Sequence, residues 1–249
     1  MNAYAALAPE DWSTTLQWLR ERVGVTASLE DAAALVAQTL HERFADTTVL
    51  ARVYVMIPYR DLEPQVAAFV DAVAASAGEG HRVGPETPVL TLLGTHGAEP
   101  AWCDRHASVG HRGIPLISAA FVQAIPMVAR LLNELGVELA WLDASPEVNA
   151  RQLLGGFNGV FYVDDASSTR DAQGRLVIPA QEFVADRGVK TVFGVGGFYP
   201  DGTLLAVIVF ARERLRRTQI EPLTSLISML KGETFGVVRA RRLFRSASA

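Results

Sequence analysis

Between Gly94 and Leu116 the chain reads GTHGAEPAWCDRHASVGHRGIPL, and its reactive residue types are concentrated there. A thiol (Cys103), a carboxylate (Asp104), two arginines (Arg105, Arg112) and two histidines (His106, His111) fall within about a dozen positions. Three kinds of chemistry can be written for them. His106 and His111 could ligate a metal or haem iron with Cys103 as thiolate, although the spacing matches no metal motif. Arg105 and Arg112, helped by His111 and backbone N–H groups near Gly110 and Gly113, could hold a carboxylate or phosphate. The plainest reading is structural: Asp104 pairs with the arginines and braces a long loop over a sheet.

Other candidates are weaker. Gly194-Val195-Gly196-Gly197 has the glycines of a phosphate loop, but Phe198-Tyr199-Pro200-Asp201-Gly202 opens into a hairpin where a nucleotide loop opens into a helix. Those glycines fit a bulge or a close backbone approach. Asp164 and Asp165, followed by Ser167 and Ser168, read as solvated turn residues. No Ser-His-Asp order, P-loop or HExxH is present.

The elements around this segment follow from periodicity. Pro9-Glu10-Asp11 starts a helix that Gly24 ends, expected to stand outside the core. Ser28 to Asp31 resembles a capping box and opens a helix to about Phe44. Val49–Ile57 is a β-branched strand, 62–77 a helix, and Pro88–Leu93 a strand ended by Gly94. Helical spacing returns over 118–135, with a kink or restart at Pro126. Trp141 and Leu142 pack back on the core. A weak helix is expected over 146–154, a break at Gly155-Gly156, a strand over Gly159–Val163 and a polar, mobile loop over 164–175. The remainder, 181–230, is a short helix stopped by Gly188, a strand, a Pro-Asp-Gly turn, a second strand and an amphipathic helix. Its stripe Ile220, Leu223, Ile227, Leu230 is expected to pack on the chain's own sheet, with pairing between copies as the alternative. Helices follow some strands and a hairpin joins others, so an α+β fold with a largely antiparallel sheet is expected.

Composition bounds the function class. Of 249 residues 49% are hydrophobic and 20% charged, with a net charge of −4. Nothing global points to nucleic acid or an anionic membrane surface. The single cysteine excludes a disulfide framework within the chain and a Cys-rich zinc site. The opening MNAYAALAPEDW lacks a signal-peptide pattern, and no apolar run approaches the roughly 20 residues of a membrane span. A cytoplasmic protein is expected.

SLEDAAALVAQTLHERFADTTVLARVYV resembles the opening helix and first strand of GAF domains, bacterial small-molecule sensor modules related to PAS domains. QEFVADRGVKTVFGVGGFYPDGTLLAVIVFARERLRRTQIEPLTSLISML resembles their closing helix, hairpin and final helix. Together these stretches cover about a third of the chain. The middle departs from the family: 94–159 is longer than usual and carries an extra helix with Pro126. The resemblance implies a five- or six-stranded, mainly antiparallel sheet flanked by helices, a ligand cavity on one face and homodimer pairing through terminal helices. Some relatives attach a bilin through cysteine, but the histidine they carry directly after it is absent, since Asp104 follows Cys103. Others reduce methionine sulfoxide with several cysteines, and one alone cannot close that cycle.

The expected organisation is a helical extension (1–26), a GAF-like sensor domain (27–232) with an insertion over about 94–159, and a basic tail (233–249). A small-molecule ligand, its identity and any cofactor unknown, is expected between the sheet and the insertion, against Trp102, His106, His111, Arg112, Phe121 and Tyr162. Terminal helices would pass its state to a signalling partner. Two rival functions remain. One is an enzyme using His106, His111 and Arg112 on a small substrate; the other is an interaction module whose cavity is filled by side chains.

Overall fold

The computed structural model of the protein describes residues 3–143 and 158–246. Six strands form one sheet in the order β3-β2-β1-β6-β5-β4, every neighbouring pair antiparallel. They are β1 (Thr48–Pro58), β2 (Pro88–Gly97), β3 (Gly113–Pro115), β4 (Gly159–Val163), β5 (Thr191–Phe198) and β6 (Leu204–Ala211). Helices are α1 (Pro9–Val23), α2 (Leu29–Arg43), α3 (Pro64–Ser76), α4 (Ala119–Gln123), α5 (Pro126–Glu134), α6 (Gln181–Arg187), α7 (Arg217–Ile220) and α8 (Thr224–Arg239). The 146–154 helix and the Gly155-Gly156 break lie outside the described residues.

The sheet is apolar on both faces because both are covered. Ala51, Val53, Val55, Phe193, Val207 and Val209 face one helical layer, α1, α2 and α8. Leu50, Tyr54, Leu90, Phe161, Ile208 and Phe210 face the other, built from α4, α5 and α6 with their flanking loops. The two-residue period of a strand separates these sets from Leu50 to Val55 of β1; Val49, at the register shift before Leu50, falls in the same layer as Leu50.

The first helix does not stand outside the core. Trp12, Leu19 and Val23 are buried with α8, and the Trp12 indole donates to Ser225 Oγ at 2.8 Å. The stripe Ile220, Leu223, Ile227 and Leu230 is wholly buried against the chain's own sheet. Helix α8 extends to Arg239, past the 232 boundary, with Val237 and Val238 buried. Ser28 caps α2, its Oγ accepting from the Asp31 amide at 3.1 Å, and Pro126 restarts a helix at its first turn.

Gly94 does not end β2, which runs on to Gly97. It lies opposite Val53, while Tyr54 pairs with Leu92, so Leu93 is the extra residue of a bulge. A Cβ on Gly94 would stand 2.2 Å from the Ala33 carbonyl oxygen. The glycine lets α2 cross the bulged strand at backbone contact. The turn over Tyr199–Gly202 forms as expected, with Gly202 at φ 85° and its amide donating to the Tyr199 carbonyl at 3.0 Å. The 164–175 loop is pinned: Arg175 Nη2 donates to the Gln123 carbonyl at 2.6 Å, and Arg214 pairs with Asp165 at 2.8 Å.

Candidate functional site

A cavity of about 210 Å³ lies between the sheet and the segment that follows β2. Its floor is three alternate residues of β1 (Leu50, Arg52, Tyr54) with Leu90 of β2 and Ile208 and Phe210 of β6. Register brings them together: Leu50 is opposite Phe210 and Arg52 opposite Ile208. Helix α5 supplies the roof through Met127, Val128 and Leu131, which recur at helical spacing on its inner side. Ile178, Pro179, Ala180 and Phe183 complete the lining with Trp102, Gly110, His111 and Ile114.

Arg52 is the one cation in this apolar lining among the described residues. Its Nη1 donates to Tyr54 Oη at 3.2 Å and to the Gly110 carbonyl at 3.5 Å, and its Nη2 to Ser108 Oγ at 3.1 Å. Nε is buried without a partner, and no carboxylate pairs with Arg52 among the described residues. A charged group placed beside apolar walls is costly unless a counter-charge or hydrogen bonds compensate it.

His111 stands exposed at the rim, in the left-handed region at φ 57°. Few non-glycine residues adopt that conformation, histidine among the more tolerant. Desolvation by the surrounding protein, and then the Arg52 charge, hold its imidazole below the usual pKa, so it is neutral at pH 7. Trp102 packs edge-on against Phe183, with ring centroids 5.5 Å apart, and Arg187 lies 5.2 Å over its ring.

Of the six residues expected at the site, Trp102 and His111 line the cavity. His106 lies outside it, exposed, its amide bound to Asp104 Oδ1 at 2.8 Å in a local turn. Arg112 turns away, its Nε donating to the Ser108 carbonyl and its guanidinium lying 5.9 Å from the Phe69 ring on α3. Phe121 is buried in the packing of α4 but is not among the lining residues. Tyr162 faces the opposite helical layer, its hydroxyl donating to the Leu215 carbonyl at 2.6 Å. Its neighbours Phe161 and Val163 take the cavity-side parity instead.

The anion pocket of Arg105 with Arg112 is therefore not assembled. Arg105 is 7% exposed and salt-bridged to Glu30 at 2.8 Å and Glu63 at 2.5 Å. Bracing is its role, though the partners are glutamates from α2 and the α3 entry and not Asp104. The proposed enzymatic trio of His106, His111 and Arg112 is not brought together either. Cys103 is exposed and reduced, its Sγ within 3.5 Å of the Gly97 carbonyl oxygen. Among the described residues no three His, Cys, Asp or Glu side chains converge as a metal site.

Arg52, which lines the cavity, was not among the residues expected there. It sits in VLARVYVMI, where one charge inside an apolar strand breaks the pattern, and that break was the available signal.

Among the described residues no helix is long and apolar enough to cross a membrane. No family model and no curated protein matches the chain. Solved structures do. A GAF domain from an Acinetobacter phosphoenolpyruvate-protein phosphotransferase is similar over 97% of this chain and 100% of its own, at 12% identity and a TM-score of 0.49. The free methionine-R-sulfoxide reductase of Neisseria meningitidis, in complex with its substrate, is similar over 94% and 96%, at 12% identity and 0.49. A phycoerythrobilin-bound GAF domain from a cyanobacterial phytochrome is similar over 92% and 96%, at 13% identity and 0.48. The chain's own sheet, six antiparallel strands between two helical layers, is the α+β architecture that the sequence resemblance to GAF domains implied.

Proposed function

We propose that the protein is a small-molecule-sensing domain whose input site is the cavity between the sheet and α5. The observation that carries this reading is the cavity itself: a partly open, mostly apolar concavity with a few converging polar groups is what small-ligand sites consist of. A filled module that serves only protein contacts would leave no such space.

The output in this reading is the C-terminal segment. The carbonyls of Arg242 and Leu243 accept from the Leu29 and Glu30 amides, both at 2.9 Å, so the tail satisfies orphan donors at the start of α2. Glu30 binds there to Arg105, on the loop that carries Trp102 and His111, and to the Arg245 amide at 3.0 Å. One carboxylate thus touches both the tail and the loop from which Trp102 and His111 reach the cavity. A ligand that moves the wall acts on the tail through differential affinity for its docked and undocked states.

The test is a thermal-shift screen with small aromatic and aliphatic compounds, run on the native chain and on Val128→Phe, which fills the cavity from its roof. A compound at 100-fold its Kd stabilises the folded state by about 2.7 kcal/mol. The expected result is stabilisation of the native chain that the filled variant loses. Equal shifts in both proteins, or none in either, would remove the cavity as the input site.

A further inference from the structure

We propose that the ligand of this cavity is a small apolar monocarboxylate, its head held by Arg52 and its body lying among Leu90, Val128 and Ile208. The proposal rests on the sensing role of the same cavity and adds the chemical class of what is sensed.

The first argument is charge balance. Arginine stays protonated at any physiological pH, so its positive charge on the cavity floor is permanent. Arg105 has Glu30 and Glu63, and Arg130 has Glu134 at 3.2 Å; half-buried Arg112 has no acid, but it lies over the Phe69 ring outside the cavity. Arg52 has only neutral ones, a phenol, a serine hydroxyl and a carbonyl. No second arginine and no lysine lines the cavity among the described residues. One uncompensated cation matches one negative charge, which fits a carboxylate better than a phosphate dianion.

The second argument is donor count. A guanidinium carries five N–H groups. Three are used by Tyr54, Gly110 and Ser108, which leaves Nε–H and one Nη2–H. Nε has no surface open to the cavity, so the donor left for a carboxylate is the second Nη2–H, which offers a charge-assisted hydrogen bond. Tyr54 Oη, buried beside Nη1, and the neutral His111 ring at the rim add polar groups at the same end of the cavity. Most of the remaining lining is hydrocarbon: Val128 and Leu131 from α5, and Ile208 beside Arg52 on the sheet. A mostly apolar cavity with one cationic group selects an amphiphile. The volume of about 210 Å³ lies below the ≈ 300–1,000 Å³ of drug-sized sites, so the body is a single ring or a short branched chain.

The alternative role for Arg52 is a brace that only ties the 108–112 loop to the sheet. The test separates the two. Benzoate, 3-phenylpropionate and hexanoate are each titrated beside their neutral amides, followed by NMR on the methyl groups of Ile114, Val128 and Ile208. On the native chain the expected result is that at least one acid binds tenfold or more tighter than its amide. In Arg52→Gln the preference disappears, and in Arg52→Lys, which keeps the charge and loses the guanidinium, it is reduced but present. Melting curves of both variants report whether the loop brace survives. Acids and amides that bind the native chain equally would overturn the carboxylate assignment while leaving the cavity as a ligand site. Absence of methyl shifts with every probe would overturn this proposal and the sensing reading together.

Discussion

His111 shows how much a single residue can be held away from its resting chemistry. Its backbone occupies a left-handed conformation and its ring is kept neutral by desolvation and the Arg52 charge. The unfolded chain titrates this imidazole near the ordinary value of about 6.5, and the folded chain at lower pH. In that window the unfolded state binds more protons, so stability rises with pH and is lost as pH falls through 6.5 towards the folded value. His41 is displaced the same way, first by burial and then by the charge of His96, whose ring centroid is 5.0 Å away. Melting temperatures should therefore drop between pH 7.5 and 5.5. The His111→Asn variant, which tolerates the same backbone, should show a shallower drop, with the remainder carried by His41. An unchanged pH slope in that variant would place the titration elsewhere.

At the scale of elements, the crossing of α2 over β2 sets the depth of the whole layer. Gly94 sits where the bulged strand meets the Ala33 carbonyl, so even one methyl has no room. Gly94→Ala should cost about 1–3 kcal/mol, the range for overpacking, or more if the helix cannot shift. Urea denaturation of the variant measures it, and a midpoint equal to that of the native chain would mean that α2 slides freely. The bulge also resets the phase of β2 against β1. Helix α5 illustrates the converse, a roof held by its own periodicity. Val128 and Leu131 are buried at i and i+3, and Pro126 at the first turn removes the backbone N–H that would otherwise need a partner.

At the scale of the molecule, the chain is tied together by an ion cluster that sequence proximity does not reveal. Glu30 is nearly buried. Burial alone would raise its pKa, but the Arg105 hydrogen bond and the Arg245 amide outweigh that and hold it below the usual carboxylate value. Breaking one partner of a buried pair costs about 3–5 kcal/mol, and Glu63, which stays bound to Arg105, should keep Glu30→Gln near the lower end. The same substitution should speed hydrogen exchange at the Arg245 amide, which donates to Glu30 Oε2. Exchange there at the native rate would show that the tail is docked without Glu30 and would break the proposed relay.

Much of this was legible in the linear chain. The glycine and proline punctuation, the Ser28 cap and the Pro-Asp-Gly turn act over four residues or fewer, and local chemistry determines them. The mixture of strand–helix connections with a hairpin determined the α+β class, and Trp102 and His111 were visible as candidates because chemically rich loops stand out by type. Residue type could not say which way a side chain points. In GVFYV, Phe161 and Tyr162 are equally suited to a buried face, and only pairing with β5 assigns Phe161 to the cavity layer and Tyr162 to the other. Arg105 and Arg112 were equivalent in the sequence, and the structure gives one to Glu30 and the other to Phe69. Arg52 became a site residue only when the register of β1 with β6 set it on the cavity floor. The sequence by itself determined the longer elements, because propensity, capping and periodicity are short-range, while the three-residue β3 exists only through its pairing with β2. Tertiary structure alone decided which charges are compensated and which are not, because a counter-ion is chosen by distance through space.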